Sequence, residues 1–104
     1  MGLTDAYNRI LSMKPSKTSL FSVDGKMDTY ALVMGPNESL GMETHKETVQ
    51  FFHVLDGTGV AIIGTERIPI MMHSMFYVPP GTAHNVFAGR DGLKMLTIYS
   101  DTTH

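Results

Sequence analysis

Cysteine is absent from the 104 residues. That removes disulfides and thiolate chemistry, and it fits a reducing compartment. Also missing is any hydrophobic run near the ~20 residues that cross a bilayer. The N-terminus lacks the basic-then-apolar layout of a signal peptide. The expectation is a cytoplasmic protein with no membrane partner. Charge of one sign is scarce too. Eight Lys and Arg against ten Asp and Glu leave a net charge of −2, and no basic run gathers, so no nucleic-acid footprint is expected. Linkers, low-complexity segments and repeats are likewise lacking, which leaves one domain with a modest core.

Glycine and methionine are plentiful, at ten and nine residues. Methionine adapts to irregular gaps, so a soft core is expected, with Met71, Met72 and Met75 as packing or lining residues. Residues 3–13 read as a short helix or, alternatively, as an extended arm. In the helical reading Thr4 or Asp5 caps it, and Tyr7, Ile10 and Leu11 share a face. Lys14-Pro15-Ser16-Lys17 breaks what precedes it. The division expected is an N-terminal helix or arm over 1–18 and a β domain over 19–104.

Beyond the break the period becomes two. Strands are expected over 19–23, 29–34, 40–45, 49–55, 59–63, 67–71, 75–78, 84–87 and 93–100, separated by turn signals such as Asp24-Gly25 and Pro79-Pro80-Gly81. Many short strands at this spacing imply an all-β barrel or sandwich.

The chemistry concentrates in 41–57. Glu43 and His45 are two apart, so on a strand they face the same way. Gln50 opens the apolar run 51–55. A second imidazole, His84, follows the Pro-Pro-Gly turn, whose proline sets φ and whose glycine frees it. The working reading is that Glu43, His45, Gln50 and His84 converge on one metal ion.

Taken together, the turns and histidines resemble a cupin, a jelly-roll type β-barrel. The first cupin motif is G-x5-H-x-H-x3-4-E-x6-G. Anchored on Gly57, it sets Gln50 at the usual Glu, His45 at the second His, Glu43 at the first and Asn37 at the leading Gly. The second motif is G-x5-P-x-G-x2-H-x3-N. Pro79, Gly81 and His84 match it, while His73 and Ala88 replace its leading Gly and final Asn. The Glu-x-His…Gln…His variant, with the tail over 93–100, is similar to a subgroup of small single-domain cupins related to mannose-6-phosphate isomerase. Cupin-type isomerases of that name surround zinc with Gln, Glu and two His, amide and acid in swapped positions. The resemblance therefore implies that Gln50 is a true ligand.

Two imidazoles, a carboxylate and an amide oxygen suit Zn²⁺, Fe²⁺, Mn²⁺, Ni²⁺ or Co²⁺ and disfavour Cu(I). If Gln50 only hydrogen-bonds, the remaining two His and one carboxylate match the set of non-haem Fe(II) oxygenases. Alternation puts Phe52 and Val54 beneath the ion and turns His53 outward. Whether Phe76 and Val78 or Met75 and Tyr77 face in stays open, as does Thr97 and Tyr99 against Leu96 and Ile98. An inward Tyr77 or Tyr99 would be the one neutral general acid. Arg67 and Arg90 read as turn-proximal, so no cation is expected to grip a phosphate. The small-molecule ligand of the barrel is thus expected to be partly apolar.

Three functions follow: a metal-dependent isomerase or lyase acting on a small carbonyl or sugar-like molecule, an Fe(II) dioxygenase, or a non-catalytic metal or small-molecule binding module. An outward Phe51 and Leu55 suggest a homodimer.

Overall fold

The computed structural model describes residues 8–23 and 26–101, leaving aside the Phe21 side chain. It contains six strands: β1 (Ser16–Val23), β2 (Met27–Met34), β3 (Thr48–Ile63), β4 (Glu66–Met71), β5 (Met75–Val78) and β6 (His84–Asp101). Every pairing is antiparallel, in the order β1-β2-β6-β3-β4, with β5 also on β3. Residues 8–11 form a helical turn; Thr4, Asp5, Tyr7 and His104 lie outside the described residues. Among those described, no helix is long and apolar enough to cross a membrane.

The long partners β3 and β6 pair from Thr48↔Asp101 to Ile63↔His84. Each carries two half-strands that the turn signals had divided. The ladder shifts between Val54 and Asp56 and again between Gly57 and Gly59, where the two strands bend together. A Cβ on Gly57, at φ +90°, would stand 2.3 Å from the Gly92 carbonyl oxygen. These glycines permit close backbone approach inside a continuous ladder rather than ending a strand.

Because both strands bend, one sheet folds over itself. β1, β2, the second half of β6, the first half of β3, and β5 make one layer. β4 with the remaining halves makes the other. Between them lies the main core: Leu32, Phe52, Val54, Leu93 and Met95 from the first layer against Ala61, Ile70, Val86 and Ala88 from the second. A smaller cluster outside the first layer joins Ile10 to Ala31 and Val33, with Met13, Leu20, Leu55 and Leu96 packed against it. The N-terminal turn thus covers Leu55, leaving Phe51 exposed.

Three expectations change. β1 starts at Ser16, so Lys17 and Thr18 belong to the sheet. The segment 40–45 is no regular strand. It touches β6 through single bridges, Ser39↔Phe87 and Glu43↔His84, with Gly41 between them at φ +89°. Met71, Met72 and Met75 are exposed, and the buried methionines are Met34 and Met95. The two departures from motif glycine also gain a physical reason. Asn37 and His73 both take positive φ, 61° and 76°, which Asn and His tolerate better than most residues.

Candidate metal centre

Each of the four side chains expected to converge is held by a different part of the fold. Gln50 stands near the start of β3, directly opposite Tyr99 of β6 and Val78 of β5. His84 opens β6. Glu43 bridges it backbone to backbone, with both N–H···O distances 2.9 Å. His45 is clamped by the Pro-Pro-Gly turn, whose Gly81 N–H donates to the His45 carbonyl at 2.7 Å. One turn therefore positions both imidazoles, preceding His84 in the chain and holding His45 across space.

The donor atoms of Glu43, His45 and His84 all lie within 4.8 Å of one another. His45 Nε2 is 3.2 Å from Glu43 Oε2, and the two imidazole centroids are 5.4 Å apart. This carboxylate and these two imidazoles could hold a metal ion. The cluster is open on one side: the Glu43 and His45 side chains are 42% and 32% exposed, whereas Gln50 and His84 are 2% exposed.

Hydrogen bonds fix the buried pair. Thr97 Oγ1 donates to the Phe51 carbonyl at 3.0 Å, so it can only accept from Gln50, whose Nε2 donates to it at 2.8 Å. The amide is thereby turned with Oε1 toward His84 Nε2, 3.1 Å away. The other nitrogen of that ring, Nδ1, lies 3.2 Å from the Thr82 carbonyl oxygen. With the proton on Nδ1, the Nε2 lone pair of His84 points at Gln50 Oε1, which also offers lone pairs. In the Nε2–H tautomer the ring donates to that oxygen and closes the hydrogen-bond line; in the Nδ1–H tautomer two acceptors face each other, an arrangement that a cation satisfies. The donor set, hard oxygen and borderline nitrogen, fits a divalent transition metal. A backbone carbonyl on the far side of a ligating His is also the usual means of orienting it.

Alternation inside the barrel is now settled. Phe52 and Val54 share the interior with Gln50, and Phe52 stacks on Phe76 at 4.7 Å. From β5, Phe76 and Val78 face in, while Met75 and Tyr77 are exposed. From β6, Thr97 and Tyr99 face in. The Tyr99 ring sits edge-on to His45, centroids 5.2 Å apart. His53 points outward, into a groove it lines with Phe51, Met75, Tyr77, Leu96 and Ile98, away from the four donors.

A cation near the site was not expected, yet one is present. Lys17 of β1 stands opposite Leu32, on the inner face. Its Nζ donates to Tyr99 Oη at 3.2 Å and lies 4.6 Å from the Tyr30 ring centroid. Placing Lys17 in the break before the sheet hid it. No local signal could reveal a contact spanning 82 residues of chain.

Comparisons with known proteins bear on the fold and the family. In sequence, an uncharacterized protein of Bacillus subtilis, YrkC, is 31% identical over 78 residues, covering 68% of this chain. The chain matches only 42% of that relative's length. Among solved structures, BH2720 from Bacillus halodurans superposes with a TM-score of 0.88 at 22% identity, covering 99% of this chain and 83% of that one. The Cnp3 cupin domain of Schizosaccharomyces pombe gives 0.82 at 14% identity, covering 88% and 71%. The all-β cupin fold is common to them. A family model described as "Cupin domain" matches residues 31–99, the span containing Glu43, His45, Gln50 and His84, and the chain belongs to the cupin family.

Proposed function

We propose that Glu43, His45, Gln50 and His84 together hold one divalent transition-metal ion, and that the protein is a metal-dependent isomerase or lyase acting on a small carbonyl or sugar-like molecule. The observation that carries this reading is the buried approach of Gln50 Oε1 to His84 Nε2. Both atoms are fixed from behind, by Thr97 and Thr82, and in the Nδ1–H tautomer of His84 both offer lone pairs to the same space. The resemblance to cupins related to mannose-6-phosphate isomerase supports an amide among the ligands.

Bound there, such an ion supplies Lewis-acid polarisation of a carbonyl or enediolate oxygen. The exposed side at Glu43 and His45 admits the substrate. Gln50 and His84, with Phe52 behind them, close the other side to water. Tyr99 is the candidate general acid. Its hydroxyl accepts from Lys17, which leaves the phenolic proton free to be given to a substrate oxygen.

The test is the metal content of protein purified without added metal. One zinc, manganese, nickel or cobalt per chain supports the reading; iron with oxygen uptake moves it to the oxygenase, and a bound ion with no turnover to a binding module. Glu43→Ala and His84→Ala should each abolish stoichiometric metal, and full occupancy in both ends the proposal.

The outer groove is part of the same reading as a homodimer contact of a cytoplasmic protein. Phe51 and Tyr77 pack at 6.1 Å there and remain 45% and 59% exposed. A contiguous apolar face of this kind is commonly covered by a partner. Sizing in solution should give twice the chain mass.

A further inference from the structure

Lys17 is exposed to solvent, yet its ammonium is seated on aromatic side chains on the inner-face side of an edge strand. It pairs with Leu32, which is buried in the main core, and directly opposed residues of an antiparallel pair share a face. Two tyrosines receive its ammonium. Nζ lies 4.6 Å from the Tyr30 centroid and 5.0 Å from that of Tyr99, whose hydroxyl accepts one of its three hydrogens. The two rings meet edge-on at 5.6 Å, interplanar angle 85°. Among the described residues no carboxylate forms an ion pair with Lys17. Asp28, facing Tyr99 across the β2–β6 ladder, is the nearest acid in register and makes none. The other two N–H groups of the ammonium face solvent and are open to an incoming acceptor.

The Tyr99 ring also meets His45 edge-on, centroids 5.2 Å apart. One tyrosine side chain thus touches both the ammonium and a residue of the metal centre. Both Lys17 and Tyr30 lie ahead of residues 31–99, the span matched by the family model.

We infer that Lys17, seated on Tyr30 and Tyr99, is the anion-binding residue of this site, and that its ligand is a small carboxylate with a second oxygen donor for the metal ion. This rests on the metal reading above and adds the substrate class to it. A carboxylate fits better than a phosphate. One ammonium with two N–H groups matches the single negative charge of a carboxylate, and among the described residues no arginine joins it.

The experiment measures binding of a diacid series (malonate, succinate and glutarate), and of phosphoglycolate, against acetate. Isothermal titration uses wild type, Lys17→Met and Lys17→Arg after loading each with cobalt, whose stoichiometry is recorded first. A charge-assisted contact should make the best-fitting diacid bind wild type about tenfold or more tighter than acetate. Lys17→Met should lose that advantage at unchanged cobalt stoichiometry, and Lys17→Arg should keep most of it. Diacids no tighter than acetate in wild type, or an advantage that survives Lys17→Met, overturn the inference while leaving the metal reading intact. A Lys17-dependent advantage shown only by phosphoglycolate overturns the carboxylate assignment. If wild type binds no cobalt, the metal reading fails and this inference with it.

Discussion

Val54, Met95 and Leu32 make one level of the barrel interior, and Gln50 and Tyr99, four residues along the same β3 and β6, make another with Thr97 beside them. At the first level these three side chains are apolar and each is 6% exposed or less. Its stability comes from apolar burial and close packing, which need no particular partner atom. The second level is buried as deeply at Gln50 and Thr97, yet it consists of hydrogen-bonding groups that require specific partners. Gln50 and Thr97 find them in an unbroken line from the Phe51 carbonyl to His84. The difference separates what holds the barrel from what the barrel holds in place. A barrel that needed only to be stable would carry Leu or Val at 50 and 97.

The apolar level can be broken hardest. Phe52 is 2% exposed and stacked on Phe76, so Phe52→Ala should cost about 3–5 kcal/mol in urea unfolding. The bend that folds the two layers over each other comes next. Gly57→Ala would put a Cβ at positive φ 2.3 Å from a backbone oxygen, a destabilisation of about 2–3 kcal/mol by the same measurement. Thr97→Val, nearly isosteric, sharpens the contrast. It leaves the Gln50 amide without its acceptor, for a loss of about 1–3 kcal/mol. With the oxygen no longer aimed, metal affinity should fall about 10–100-fold, read by competition with a chelator. Phe52→Ala, cooled until folded, should keep its metal; Thr97→Val should weaken it while remaining folded at room temperature.

The polar level was the more legible in sequence, because its residues are chemically distinct and sit at fixed distances from Gly57 and Pro79. Glu43, His45, Gln50 and His84 could be gathered on that basis; the structure brings the donors of Glu43, His45 and His84 within 4.8 Å of one another and sets Gln50 beside His84. The orientation of 93–100 could not be read. Leu93 and Met95 enter the core while Leu96 and Ile98 line the outer groove, so both faces are apolar and alternation gives no preference. Only the pairing of Gln50 with Tyr99 resolves it. Strand limits failed at glycines for a related reason: a glycine that ends a strand and one that lets two strands bend together are the same letter. Lys17 was hidden by the Pro15 break and by the register shift between Ser19 and Phe21, which disturbs the alternation of β1.

X-ray absorption at the metal edge of zinc-loaded protein tests the central claim most directly. The account predicts a shell of nitrogen and oxygen only, at about 2.0–2.2 Å, with the outer scattering of two imidazoles. A shell containing methionine sulfur, or fewer than two imidazoles, would contradict it.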